Sequence, residues 1–213
     1  MGLAPIYQLL AMGGRINLKN VAATSPNKKE YEQIMPHVQI CNEYSDAHVN
    51  SFMIAQRTLA RTLRQNTPTT AYILDDCIHS SIMWKTNKHL RALFMNGRCA
   101  KISTFFALTY PFKITPEFGC NIEYTFIFNT RSPKVRQQLY NLYCAMIPSF
   151  EIFEMLMNNY TQDYGSLVID NTVMSSNWQD MVFWYRGEIR PDFTIGIPDV
   201  CAAGSVPNPA GCP

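Results

Sequence analysis

Apolar residues return along this chain at two different intervals. Between Asp46 and about Gln65 they recur every three or four residues (Val49, Phe52, Met53, Leu59, Leu63), the spacing of an amphipathic helix. Ser45 and Asp46 precede that run, where a side-chain oxygen can cap the first free N–H groups. The same reasoning starts a helix at Ser132-Pro133, through Val135, Leu139, Leu142 and Met146 to Pro148, and another at Ser149, through Phe150, Phe153, Leu156 and Met157. Helical spacing also covers Leu3 to Met12, stopped by Gly13-Gly14, and Trp84 to Asn96, stopped by Gly97. A short polar helix is predicted over Lys28 to Met35.

Short runs of β-branched, aromatic and other apolar residues, bounded by turn formers, predict strands. They lie at Val21 to Thr24, His37 to Cys41, Thr70 to Cys77, Ile102 to Tyr110, Ile122 to Phe128, Leu167 to Ile169 and Val182 to Tyr185. Strands alternating with helices predict an α/β fold, with a mostly parallel sheet and helices on both faces. From Pro191 the chain becomes Pro- and Gly-rich, so residues 191–213 are an extension that ends in a tail unable to build a core.

Composition changes this picture little. A chain of 213 residues that is 47% hydrophobic and 16% charged can bury a sizeable core. Its net charge of +2 is too small to argue for nucleic acid by itself. The seven cysteines include no Cys-x-x-Cys pair, which argues against a zinc ribbon or a disulfide framework and for a reducing compartment. No apolar run reaches the roughly 18 residues that span a bilayer, and no signal-peptide pattern opens the chain. The expectation is a soluble intracellular protein.

Two features carry candidate chemistry. The first is Asp75-Asp76, two adjacent carboxylates at the end of an apolar strand. Ligands in open α/β sheets sit at the carboxyl ends of the strands, and two acids there can hold a hydrated Mg²⁺ and orient a water. On these residues alone, an acidic turn without chemistry is the commoner explanation. The second is Arg57, Arg61 and Arg64 on one side of the helix beginning at Asp46. That stripe could follow a phosphate backbone, and a solvated face accounts for it more often.

Several segments, taken in order, resemble one family: the DNA-packaging ATPases of nucleocytoplasmic large DNA viruses, of poxvirus type, in the FtsK–HerA superfamily of P-loop NTPases. They are Val21 to Pro26, Ile73 to Asp76, Leu93 to Arg98, Leu108 to Pro111, Asn121 to Tyr124, Pro148 to Phe150, Leu167 to Asn171 and Val182 to Tyr185. Together they cover about residues 15–190, so residues 1–190 are expected to form a partial ATPase domain of RecA/ASCE type.

The resemblance implies ATP-driven translocation of double-stranded DNA into a virion by a homo-oligomeric ring. It implies ATP and Mg²⁺ as cofactors, no membrane, and a location in the host cytoplasm (the viral factory) or the virion. It also assigns roles. Asp75 corresponds to the Walker B acid that holds Mg²⁺ through water, and Asp76 to the base that orients the attacking water. Thr109 stands where the family usually presents a Gln that senses the γ-phosphate, and offers one hydroxyl instead of an amide. Arg98 lies in the Asn96-Gly97-Arg98 segment, followed by Cys99 where a His is common. It could contact phosphate, DNA or a neighbouring subunit, or satisfy helix-end carbonyls. Arg131 is a weaker arginine-finger candidate.

The phosphate-loop pattern Gly-x-x-x-x-Gly-Lys-Ser/Thr does not occur in these residues. The resemblance makes Leu3 to Met12 the helix that follows that loop, so the first strand and the loop are expected to be missing. Two other readings stay open: a non-catalytic structural or interaction relative that no longer binds nucleotide, and an α/β domain whose matched segments are core strands only.

Overall fold

The run Thr69–Asp75 forms the central strand of a parallel sheet. The computed structural model describes residues 18–33, 40–78, 81–111 and 116–187. They fall into two compact units, one running up to Thr109 and one from Tyr110 onward.

The first unit holds strands β1 (Leu18–Thr24), β2 (Ile40–Cys41), β3 (Thr69–Asp75) and β4 (Ile102–Ala107) in the order β2-β1-β3-β4, all parallel. Six of the seven residues of β3 are buried. Fully burying residues of the size of Ile73 and Leu74 contributes about 1.5–3 kcal/mol each. β4 pairs with β3 from Thr70 opposite Ile102 to Asp75 opposite Ala107. Among the described residues it has no second neighbour, and five of its six residues are only half-buried. β4 is therefore the edge of the sheet formed by the described residues.

Helices α1 (Lys28–Glu32), α2 (Asp46–Leu63), α3 (Ser81–Thr86) and α4 (Lys88–Asn96) flank this sheet. Val49 and Met53 of α2 and Leu90 and Leu93 of α4 bury against Tyr72, Leu74 and Ile102 in one core. Tyr72 is fully buried, yet its hydroxyl meets His48 Nδ1 at 2.8 Å and Thr24 Oγ1 at 3.3 Å. That satisfies a group whose burial would otherwise be costly. The cap predicted for α2 is present, with Ser45 Oγ accepting from the His48 backbone N–H.

Two helices replace the single one expected over Trp84 to Asn96. Asn87 separates them, its side chain accepting from the backbone N–H groups of His89 and Leu90. Its short polar side chain offers the backbone an N-cap that the apolar spacing hides. Gly97 ends α4 with an ordinary helical φ of −56°. Space explains the glycine, since a Cβ there would come within 2.5 Å of the Leu93 carbonyl oxygen.

In the second unit, β5 (Tyr124–Phe128), β6 (Gly165–Asp170) and β7 (Val182–Arg186) form an antiparallel sheet in chain order. The late strands were expected to extend a mostly parallel sheet; the parallel part is the first unit alone. Helices α5 (Pro116–Gly119), α6 (Pro133–Tyr143) and α7 (Phe150–Tyr160) belong to this unit. Ser132 and Ser149 cap α6 and α7 as predicted, accepting from the N–H groups of Val135 and Ile152. Ile127, Leu167 and Ile169 pack with Phe153 and Met157 of α7.

The expected helix over Leu3 to Met12, part of the expected strand at His37 and the extension over 191–213 lie outside the described residues.

Candidate functional site

Parallel strands bring their carboxyl ends to one edge of the sheet, and β3 ends there on Asp75. The next residue, Asp76, leaves the strand with a φ of +46°, a left-handed conformation that Asp tolerates better than most residues. Its backbone N–H donates to the carbonyl of Ala107, the last residue of β4, at 3.1 Å. The turn is thereby tied to the neighbouring strand.

The two carboxylates live in different surroundings. Asp75 is 6% exposed, and its Oδ2 accepts a hydrogen bond of 2.8 Å from Ser25 Oγ, one residue past the end of β1. Ser25 is fully buried, and its Oγ in turn accepts from the Asn27 backbone N–H at 3.0 Å. Burial pushes the Asp75 carboxyl above the usual carboxylate range, donors from Ser25 and Tyr31 oppose this, and the neighbouring Asp76 charge adds to the rise. Asp76 is half-buried, and its Oδ1 accepts a bond of 3.0 Å from Thr109 Oγ1, just beyond the end of β4. Beneath the pair, Cys77 is buried and its thiol is pushed up to about 12, chiefly by burial, with Asp75 adding to the effect. It is held as a neutral core group, unsuited to nucleophilic work.

Three residues singled out in the sequence therefore meet: Asp75, Asp76 and Thr109. Arg98 does not join them. It belongs to the turn Arg98–Ala100 that precedes β4, at the amino end of the strand, whereas the carboxylates sit beside its carboxyl end. The five-residue rise of β4 separates the two ends by about 17 Å. Arg131 is exposed just before α6 in the other unit.

Ser25 and Tyr31 were not singled out as site residues, although Val21 to Pro26 was among the matched segments. The bond from Ser25 to Asp75 crosses 50 residues of sequence and leaves no local pattern. Asp75, Ser25, Asp76 and Thr109 all offer oxygens, the donor type that suits a hydrated Mg²⁺. Among the described residues no group of three or more His, Cys, Asp or Glu stands ready for a metal, so an ion here would rest on few protein oxygens and keep most of its water. No helix among the described residues is long and apolar enough to cross a membrane.

No protein-family model matches the chain. Curated relatives come from large DNA viruses. The uncharacterized protein 088R of Invertebrate iridescent virus 3 is 38% identical over 157 residues, 73% of this chain and 59% of that protein. The uncharacterized protein L437 of Acanthamoeba polyphaga mimivirus is 26% identical over 183 residues, 83% of this chain and 64% of that protein. For the uncharacterized protein 015R of Frog virus 3 the figures are 26% over 156 residues, 73% and 48%. The chain thus spans about half to two thirds of the length of these relatives.

Among solved structures, the genome-packaging NTPase B204 of Sulfolobus turreted icosahedral virus 2 aligns with 88% of this chain and 90% of its own. In complex with sulfate it does so at a TM-score of 0.59 and 12% identity; in complex with ATP-gammaS the TM-score is 0.56 at the same identity. At that identity the likeness establishes the fold: a mixed α/β architecture, with a parallel sheet flanked by helices, shared with a viral packaging NTPase.

Proposed function

We propose that this chain is part of an ATP-driven motor that packages viral DNA, and that the carboxyl end of β3 is its nucleotide-hydrolysis site. The observation carrying this is the pairing of two unlike carboxylates, Asp75 held by Ser25 at 2.8 Å and Asp76 at the left-handed turn beside Thr109. The fold shared with packaging NTPases and the viral origin of the relatives support it.

In this reading Asp75 holds Mg²⁺ through the ion's water shell, and Ser25 fixes the direction of its carboxylate. When bound, Mg²⁺ supplies charge neutralisation on the phosphates of ATP. Asp76 is the better placed of the pair to accept a proton from water, being half-exposed. Thr109 orients Asp76 by donating to Oδ1. The pattern Gly-x-x-x-x-Gly-Lys-Ser/Thr does not occur in these 213 residues, so this reading assigns no residue to the phosphate cradle. Double-stranded DNA, a homo-oligomeric ring, and a place in the viral factory or virion belong to the same proposal.

ATP hydrolysis by the chain, compared with its Asp75→Ala, Asp76→Asn double variant, tests the site. A rate in the parent above that of the variant is expected. Equal rates would mean that this chain does not hydrolyse ATP by itself. The absent phosphate-loop pattern favours one second reading, a structural relative that keeps the fold without binding nucleotide. Saturating Mg-ATP would then leave the melting temperature unchanged, because only binding to the native state raises it.

A further inference from the structure

Charge is distributed very unevenly along this chain. Residues 47–116 hold nine Lys and Arg and only two carboxylates, Asp75 and Asp76; the remaining residues hold nine against fourteen. The near-neutral total conceals a strongly basic middle segment. Both acids of that segment lie at the carboxyl end of β3, so residues 47–116 contribute no acid to its amino end.

There α2 and α4 lie side by side on one face of the sheet. Between them opens a groove of about 400 Å³, lined by Arg57, Ala60, Arg61, Asn96, Cys99 and Ala100. Among the described residues no carboxylate lines it, and neither Arg57 nor Arg61 forms an ion pair. Two like charges at i and i+4 of a helix repel, so this arrangement does not favour α2 itself. The floor is fixed. Gln56 is buried, and its Nε2 donates to the carbonyls of Pro68 at 2.9 Å and Ala100 at 3.0 Å, binding α2 to the chain entering β3 and β4. Lys101, the residue after Ala100, donates from Nζ to the carbonyls of Gln65 and Thr67, which fixes one more cation at this end of the sheet.

We infer that this groove is a docking site for the sugar-phosphate backbone of duplex DNA. Guanidinium groups about one helical turn apart, an amide donor from Asn96 and no facing acid suit a polyanion read without regard to sequence. The choice of DNA rests on the packaging reading; the anionic character of the ligand rests on the charge pattern alone. Because the site lies at the other end of the sheet from Asp75, it can be tested without nucleotide, and failure of the hydrolysis proposal would leave it standing.

The test is fluorescence anisotropy of the full chain with a duplex of random sequence, about 30 base pairs long, over a series of salt concentrations. The parent should bind, and the slope of log affinity against log salt should fall by about 1.8 in the Arg57→Gln, Arg61→Gln variant, roughly 0.9 per lost phosphate contact. Unchanged affinity and slope would overturn the proposal, as would absence of binding by the parent at low salt. Alkylation provides a second readout that needs no substitution. Cys99 and Cys120 are both exposed free thiols, and only Cys99 lines the groove. Bound duplex should slow alkylation of Cys99 and leave Cys120 unaffected; equal protection of both, or of neither, counts against the site. If poly-glutamate displaces the duplex as effectively per charge, the partner is an acidic protein and the assignment to DNA fails.

Discussion

The two ends of the parallel sheet make opposite use of the same strands. At the carboxyl ends, β3 closes on Asp75, a carboxylate buried to 6% exposure, with Asp76 turned out through a left-handed residue. At the amino ends, Arg57, Arg61 and Asn96 line a groove to which no carboxylate among the described residues contributes. The acidic end keeps the Asp75 charge out of water and relies on the donor from Ser25 to tolerate it. The basic end keeps its charges wet, where like-charge repulsion is weak and screened. The contrast teaches that a buried charge must be organised by its neighbours, while an exposed cluster needs only the absence of opposing ones. It also separates the two proposed activities: chemistry belongs at the organised end, and grip at the unopposed end.

If the acidic end is the chemical one, the largest effect should come from Asp76→Asn. In an assay where the chain hydrolyses ATP, the rate should fall by about 10²- to 10⁴-fold, the range for removing a general base. The melting temperature should change little, because Asp76 is half-exposed; a rate within twofold of the parent would remove the distinction between the ends. Next in size is Leu74→Ala, one residue before the pair. It should cost about 2–5 kcal/mol in denaturant unfolding, since Leu74 is fully buried in the shared core.

Ser25→Ala is smaller, about 1–3 kcal/mol, for the loss of a buried donor to a charged acceptor. If Ser25 serves to direct Asp75, the loss should shrink sharply when Asp75 is already Asn; additivity of the two changes would show that they are not coupled.

The smallest effect has an informative sign. The folded protein raises the carboxyl of Asp75 above its unfolded value, so ionised Asp75 opposes folding at neutral pH. That opposition is fully present above the folded pKa. It fades as pH falls through the folded pKa, and it is gone below the unfolded one. Asp75→Asn should therefore raise the melting temperature at pH 7, and the gain should vanish towards pH 4. A variant less stable than the parent at pH 7 would show that the donors more than offset the burial.

Much of the architecture was legible from local pattern. Ser45, Ser132 and Ser149 were each readable as caps because the cap lies within three residues of what it bonds. The apolar run before Asp75 and the acidic pair that closes it were equally plain. Other features were hidden because they depend on partners distant in sequence. The antiparallel course of β5, β6 and β7 is set by strands that meet across long connections, and apolar runs carry no direction. Asn87 was masked by apolar spacing that continues across it. Ser25 acts on a residue fifty positions away. The arginine stripe of α2 was visible, but whether a carboxylate faced it could be judged only once α4 and its following turn were packed beside it.

The most direct test of the central claim is the melting temperature of this chain with and without saturating Mg-ATP, run beside Asp75→Ala. Ligand at about a hundred times its dissociation constant stabilises the native state by about 2.7 kcal/mol, several degrees for a chain of this size. A nucleotide site at the carboxyl end of β3 requires that rise in the parent and its loss in Asp75→Ala. No rise in the parent, or the same rise in both, would contradict the assignment of the β3 carboxyl end as the nucleotide site.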